Sequence, residues 1–334
     1  MANLTLYDPF LKMDFSDKEC FLCGTHLIVE EHITVFPENL MERYDLQNRE
    51  LLLLDKSIKK FSNLHLPCCS VCKQKHLKPL DDEVDIALEQ GYEGIKKLDE
   101  NKLFLWLGRM YYGILFNELV AEKRMKQEPE HGIGYESKMM LKMHSFFQLL
   151  QGIRIPIRYA DFTPYSLFVL EVDPTEDDLP FEYRDDINTQ CFYLKAGNVA
   201  IVASLLDNNT IAQTYQRPYD MLKNKALHPV QVAEFMARVF YKAYLLNDIP
   251  EYFPREPKEE DEVLVLDTLI EDTMEDTFND WEKLTYSQVL TEVWKKWDIE
   301  QYVVLKDFDN PLSFLFSKDN EVIEIKQFKL SNFI

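Results

Sequence analysis

The sequence predicts an α+β protein in which a small zinc-dependent N-terminal module precedes a larger region of helices and antiparallel sheet. Three observations carry this. Two Cys-x-x-Cys pairs, Cys20-Phe-Leu-Cys23 and Cys69-Ser-Val-Cys72, fall within the first 84 residues. Beyond them, segments with helical spacing flank a stretch of β-branched residues cut by turn signals. The 334-residue chain is 46% hydrophobic and 13% aromatic, ample for a buried core and unlike a disordered composition.

The cysteines come first. Two residues between the thiols of a pair let both sulfurs reach one ion, so two pairs supply a tetrahedral Zn²⁺ with Cys20, Cys23, Cys69 and Cys72. Cys68 could replace Cys69, although Cys69 keeps the two-residue spacing. A disulfide framework belongs to small secreted domains. The N-terminus has no basic region followed by an apolar run, and no apolar run approaches the roughly 20 residues of a membrane span. The expected setting is a reducing cytoplasm, with no membrane partner.

The remaining elements follow in order. Residues 27–36 are β-branched and suit a strand or hairpin. The four leucines 51–54 read as a short buried segment. The stretch from Cys69 to Leu77 suits a short helix that Pro79 ends or restarts. A helix follows from Asp82 to Gln90, closed by Gly91. The segment from Asn101 to Lys126 is apolar on more than one side and reads as a buried helix, and Glu136–Gln151 as another. Residues 166–172 and 190–206 read as strands, the latter turning at Gly197-Asn198. His228–Asn247 returns to helix with Pro229 in its first turn. Leu284–Trp297 is amphipathic, and 312–328 closes as a hairpin around Lys318-Asp319-Asn320. The expected division is a module over 1–88 and an α+β region over 89–334, with 254–262 as a candidate linker.

Charge separates these regions. Residues 1–80 carry 10 Lys/Arg against 11 Asp/Glu, and residues 81–334 carry 27 against 47. From Lys56 to Lys78 six lysines occur without an acidic residue. That run is either a solvated basic face or a phosphate-contact strip beside the metal site. The acidic runs 173–186 and 258–276 read as solvated faces. Trp106, Tyr111, Tyr112 and Phe116 recur at helical spacing and read as core rather than a base-stacking platform.

Cys20-x-x-Cys23, Glu31-His32-x-x-x-x-Pro37, Asn63-Leu64, Pro67-Cys68-Cys69-x-x-Cys72 and Leu77-x-x-Leu80 together resemble the zinc-bearing members of the HNH nuclease superfamily. The resemblance covers about residues 18–84, and the whole chain looks similar to bacterial HNH proteins with a long C-terminal region. It implies a treble-clef, or ββα-metal, module. It further implies that His32 activates water as general base, that Glu31 ligates a catalytic Mg²⁺ or Mn²⁺, and that Asn63 orients the histidine. The last ligand of such sites usually follows the second cysteine pair directly. Here that residue is Lys73, whose charged ammonium has no lone pair to offer. His76, one turn later, stands in for it, with Asp81 or Glu83 as further carboxylates. His26 and His65 could replace a thiolate on zinc or line the groove, but read as ordinary histidines without such a role.

The resemblance therefore implies an endonuclease acting on nucleic acid, with DNA as its substrate and defence against foreign DNA as its setting. The alternative is a zinc-stabilised scaffold that binds nucleic acid, or a protein partner through the acidic C-terminal region, without cutting. An enzyme centred in residues 90–334 ranks last, because no Gly-rich phosphate loop, Gly-x-Ser-x-Gly or His-Glu-x-x-His occurs there.

Overall fold

The structure is a computed structural model. It describes residues 4–10, 15, 17–29, 31–125, 137–175, 178–247, 250–258, 260–269, 276–308, 310–325 and 328. The chain is mixed α+β and divides into two compact units. The first comprises 1–89, 97–163 and 250–270, and the second 90–96, 164–249 and 271–334. Residues 1–88 therefore sit inside the first unit without making it up alone.

In the first unit, strand His32–Thr34 pairs antiparallel with strand His65–Pro67, with His32 opposite Pro67 and Thr34 opposite His65. The strand expected over 27–36 is confined to these three residues. His26 bridges to Glu19 and the Leu27 N–H donates to the Lys18 carbonyl, closing a knuckle and leaving Ile28 and Val29 exposed. The four leucines are not a buried segment. They lie at a hairpin, Glu50–Leu52 against Ile58–Lys60, where Leu53 is buried while Leu52 and Leu54 are exposed, the alternation a pleated chain imposes.

Cys69 caps a helix that runs through Ser70–Cys72, a π turn at Lys73–Leu77, and Lys78–Glu89. Pro79 neither ends nor starts it. Proline has no N–H to give and crowds the carbonyl four residues back, and here that residue, Lys75, lies in the π turn rather than in a regular α turn. Gly91 follows at φ 65°, as a left-handed stop requires.

Helix Glu100–Met125 is the spine of this unit. Every residue from Leu103 to Leu119 is buried, including Trp106, Tyr111, Tyr112 and Phe116, which are core as expected. Arg109, also buried, pairs with Asp81 and donates to the carbonyls of Thr34 (3.1 Å) and Val35 (3.3 Å), tying strand to helix. Asn117 donates to the His65 and Gly113 carbonyls and accepts from the Lys59 ammonium. The spine approaches closely at Gly113, where a Cβ would lie 2.8 Å from the Val35 methyls. Residues 254–262 are no linker. They fall largely in the loop joining strands Glu251–Pro254 and Leu264–Leu269, which pair antiparallel, the second also lying parallel to Ile157–Tyr159.

The second unit is built on a five-stranded sheet in the order Ala226–Leu227, Ser166–Val172, Val199–Ser204, Cys191–Ala196, Phe181–Asp186. The first pair is parallel and the rest antiparallel. The expected turn at Gly197-Asn198 joins two strands buried at every position. Helices Thr210–Leu222, Pro229–Tyr244 and Lys283–Val293 join these strands in one core with Phe168, Phe235 and Trp294. His228 and Gln231 close a capping box ahead of Pro229. Phe316 bridges Val322 around the expected closing turn.

The acidic run 173–186 is more than a solvated face. Asp178 is buried in an ion pair with the buried Lys195, and Lys296 pairs with Glu182 at 2.7 Å. Of the run 258–276, residues 259 and 270–275 lie outside the described residues, and Asp267 pairs with Arg255.

Candidate metal centre

The first thiol pair sits on a tight knuckle. The Cys20 N–H donates to the Thr25 carbonyl at 2.9 Å and the Gly24 N–H to the Cys20 carbonyl at 2.8 Å. Gly24 takes φ 71° beneath the Tyr7 ring, where a Cβ would overlap Tyr7 at 2.3 Å. The Phe21 N–H then donates to the Pro67 carbonyl at 2.8 Å, lashing this knuckle to the strand that leads into the second pair. At the second pair the Cys69 sulfur accepts from the Cys72 N–H at 3.4 Å.

These two devices bring the sulfurs of Cys20, Cys23, Cys69 and Cys72 within 4.8 Å of one another. Four sulfurs about 2.3 Å from a tetrahedral Zn²⁺ would stand about 3.8 Å apart. The Cys23 and Cys69 sulfurs are 3.8 Å apart. The donor set thus fits a metal ion such as zinc, and among the described residues it is the one group of three or more His, Cys, Asp and Glu side chains so placed. Cys68 is buried beside the cluster and outside it, its thiol directed at the Cys69 carbonyl at 3.6 Å.

The electrostatics suit a cation. Hydrogen bonds from the Cys23, Cys68 and Cys72 thiols hold the Cys20 thiol far below its ordinary range, against the opposing effect of burial. The neighbouring Cys20 sulfur, then burial, push the Cys68 thiol up, and the Cys20 and Cys23 sulfurs, then burial, push Cys72 up. Burial raises Cys69 as well. A dication bound here would displace thiol protons, since thiolate is the ligating form.

The predicted catalytic residues are only partly assembled. A cavity of about 660 Å³ beside the thiols is lined by Glu31, His76, Ser70 and Arg154 among others. Glu31 is already engaged, its carboxylate accepting the Ser70 N–H at 2.9 Å at the start of the helix, where a negative charge is favoured. His76 lies half-buried on the π turn. Burial, then the charges of Arg154 and Lys75, lower its pKa, so its imidazole is neutral at pH 7.

His32 is exposed on its strand and is not among the residues lining that cavity. Its ring lies 4.2 Å from that of His65, centroid to centroid. Burial, then His32 and Lys59, lower the His65 pKa. Asn63 is exposed on a 3-10 turn, Phe61–Asn63, with no hydrogen bond to His32. Asp81 is taken by Arg109 and Glu83 by Lys102 at 2.7 Å, so neither carboxylate is offered to the cavity. Lys73 pairs with Glu38 at 3.6 Å. The lysine run is largely bonded internally, through Lys59 to Asn117, Lys60 to Asn48, and Lys78 to Asp82.

Sequence reasoning passed over His65 and missed Arg154. The antiparallel pairing of residues 32 and 65 brings the two imidazoles to neighbouring positions, a signal visible only once the register is known. Arg154 reaches the cavity from a turn 82 residues beyond Cys72, a separation that no local pattern encodes. No helix among the described residues is long and apolar enough to cross a membrane. No family model, curated protein or solved structure matches the chain.

Proposed function

We propose that the N-terminal module is an HNH-type, metal-dependent nuclease of treble-clef (ββα-metal) form, hydrolysing phosphodiester bonds in nucleic acid, with Zn²⁺ on the four thiols. One observation carries the reading. The strand headed by Glu31 and His32 pairs with the strand that runs directly into Cys69, the second thiol pair and the helix bearing His76. That is the order of parts the resemblance implies, and it places Glu31 and His76 on one cavity beside the zinc thiols.

In this reading exposed His32 takes the proton of the attacking water as general base. His65, against the His32 ring, holds its orientation in the place expected of Asn63. Glu31 and the neutral His76 are the two protein donors for Mg²⁺ or Mn²⁺, ions that keep several of their waters. When bound, that ion would neutralise charge on the scissile phosphate and the leaving oxygen. DNA as substrate, and defence against foreign DNA as setting, rest on the resemblance alone.

A second reading has its own support. Lys73 stands where the resemblance expects a ligand and is paired with Glu38, while the Glu31 carboxylate is engaged by the Ser70 N–H. Both fit a zinc-stabilised scaffold that binds nucleic acid, or a protein partner through the acidic C-terminal region, without cutting. Incubation of the purified protein with plasmid DNA and Mg²⁺ or Mn²⁺, beside His32→Ala, decides between them. Cleavage that the variant loses is the expected result. No cleavage by protein that retains one zinc overturns the nuclease and favours the scaffold.

A further inference from the structure

Within the second unit two cavities meet at Arg238, Phe316 and Asn320. The larger, about 750 Å³, is lined among the described residues by three cations, Arg238, Lys306 and Lys318, and one carboxylate, Asp307. The smaller, about 310 Å³, has a largely apolar wall that includes Tyr215, Pro218, Met221 and Phe235, with Arg217 beside it. Cations outnumber anions here in a region that elsewhere carries a large acidic excess.

The single carboxylate is already occupied. Asp307 accepts from the Asn310 backbone and side chain, at 3.2 and 3.1 Å, and lies 3.5 Å from the Lys318 ammonium. Neither Lys306 nor Arg217 has an ion pair among the described residues. Arg238 gives Nε and Nη2 to one oxygen of Glu234, at 3.0 and 2.7 Å, while its Nη1 keeps no hydrogen-bond partner among the described residues.

Glu234 itself is fully buried. It also accepts from the Ser313 hydroxyl at 2.7 Å and from the Phe314 and Leu315 N–H groups at 2.6 and 3.2 Å. One buried carboxylate thereby fixes both the guanidinium and the 313–315 wall of the larger cavity before any ligand arrives. A guanidinium held along one edge beside two lysines is the arrangement that receives phosphate oxygens. An adjoining aromatic and apolar recess receives a flat ring.

We propose that this double cavity binds a nucleotide, its phosphates at Arg238, Lys306 and Lys318 and its base against Tyr215, Met221, Phe235 and Phe316. The site shares no residue with the thiol cluster.

The test is isothermal titration of the full-length, zinc-loaded protein with ATP, GTP, CTP and UTP, using pyrophosphate as the ring-less control. At least one nucleotide is expected to bind, and more tightly than pyrophosphate. The double variant Lys306→Glu, Lys318→Glu changes only exposed side chains, so its melting temperature without ligand should match the parent's. Its nucleotide affinity should fall about tenfold or more, since each tenfold needs only about 1.4 kcal/mol of lost interaction. Heat from none of the four nucleotides overturns the proposal. So does unchanged affinity in the double variant, or pyrophosphate binding as tightly as the best nucleotide.

Discussion

The thiol knuckles of the first unit and the sheet of the second hold polar groups in their interiors by different means. Around residues 18–77 of the first, strands are three residues long and four sulfurs converge at the centre. In the second, four of the five strands run six or seven residues, those at 191–196 and 199–204 are wholly buried, and charges are neutralised by partners such as Glu234 with Arg238 and Asp178 with Lys195. Three-residue strands bury too little apolar surface to offset chain entropy, so an ion on the four sulfurs would stabilise the knuckles in a way the sheet does not need.

The largest effect should come from removing the metal. Structural zinc sites contribute on the order of 10 kcal/mol at neutral pH. Chelation, or Cys72→Ser, is expected to abolish hydrogen-exchange protection across 18–29 and 65–77 while leaving 191–204 protected. Protection that persists in the knuckles would erase the contrast between the units.

Next is Glu234→Ala, which strands the Arg238 guanidinium and two backbone N–H groups around a fully buried site. Breaking such a pair costs about 3–5 kcal/mol. The unfolding free energy of the second unit, read from its denaturant transition, should fall by that much with metal content unaltered. A near-neutral result would mean that the carboxylate does not organise that wall.

Gly113→Ala comes third, because its Cβ meets the branched, buried Val35 at 2.8 Å and neither backbone can yield freely. Overpacking of this kind costs about 1–3 kcal/mol. Urea unfolding followed at Trp106 would record the loss, and an unshifted midpoint would show that strand and spine separate without penalty.

The smallest effect concerns pH. The hydrogen bond to Asp8, at 2.7 Å, raises the His144 pKa above its ordinary value, against the effect of burial. A raised histidine binds its proton more tightly when folded. Its contribution is complete below the unfolded pKa of about 6.5 and fades as pH rises through the folded value. The parent should lose more stability than His144→Gln between pH 6 and 8. Parallel pH profiles for the two proteins would remove this link.

Much of the fold was legible in the chain. The spine over 101–126, the turn at Gly197-Asn198 and the cap at Pro229 follow from side-chain period, a left-handed glycine and a proline with no N–H to satisfy. The thiol cluster was legible because two-residue spacing confines both sulfurs of a pair to one locus. The fate of Leu52 and Leu54 was not, since composition marks a segment as apolar without saying which face a hairpin will cover.

The sequence by itself determined the four sulfurs that could hold a metal ion and several of the helices and turns, because both depend on neighbours within a few residues. Only the tertiary structure decided that Arg109 consumes Asp81, that His65 rather than Asn63 lies against His32, and that Arg238 meets Lys306 and Lys318 around one cavity. Those pairings join residues up to 80 positions apart. Their geometry is set by register and packing, which no local pattern carries.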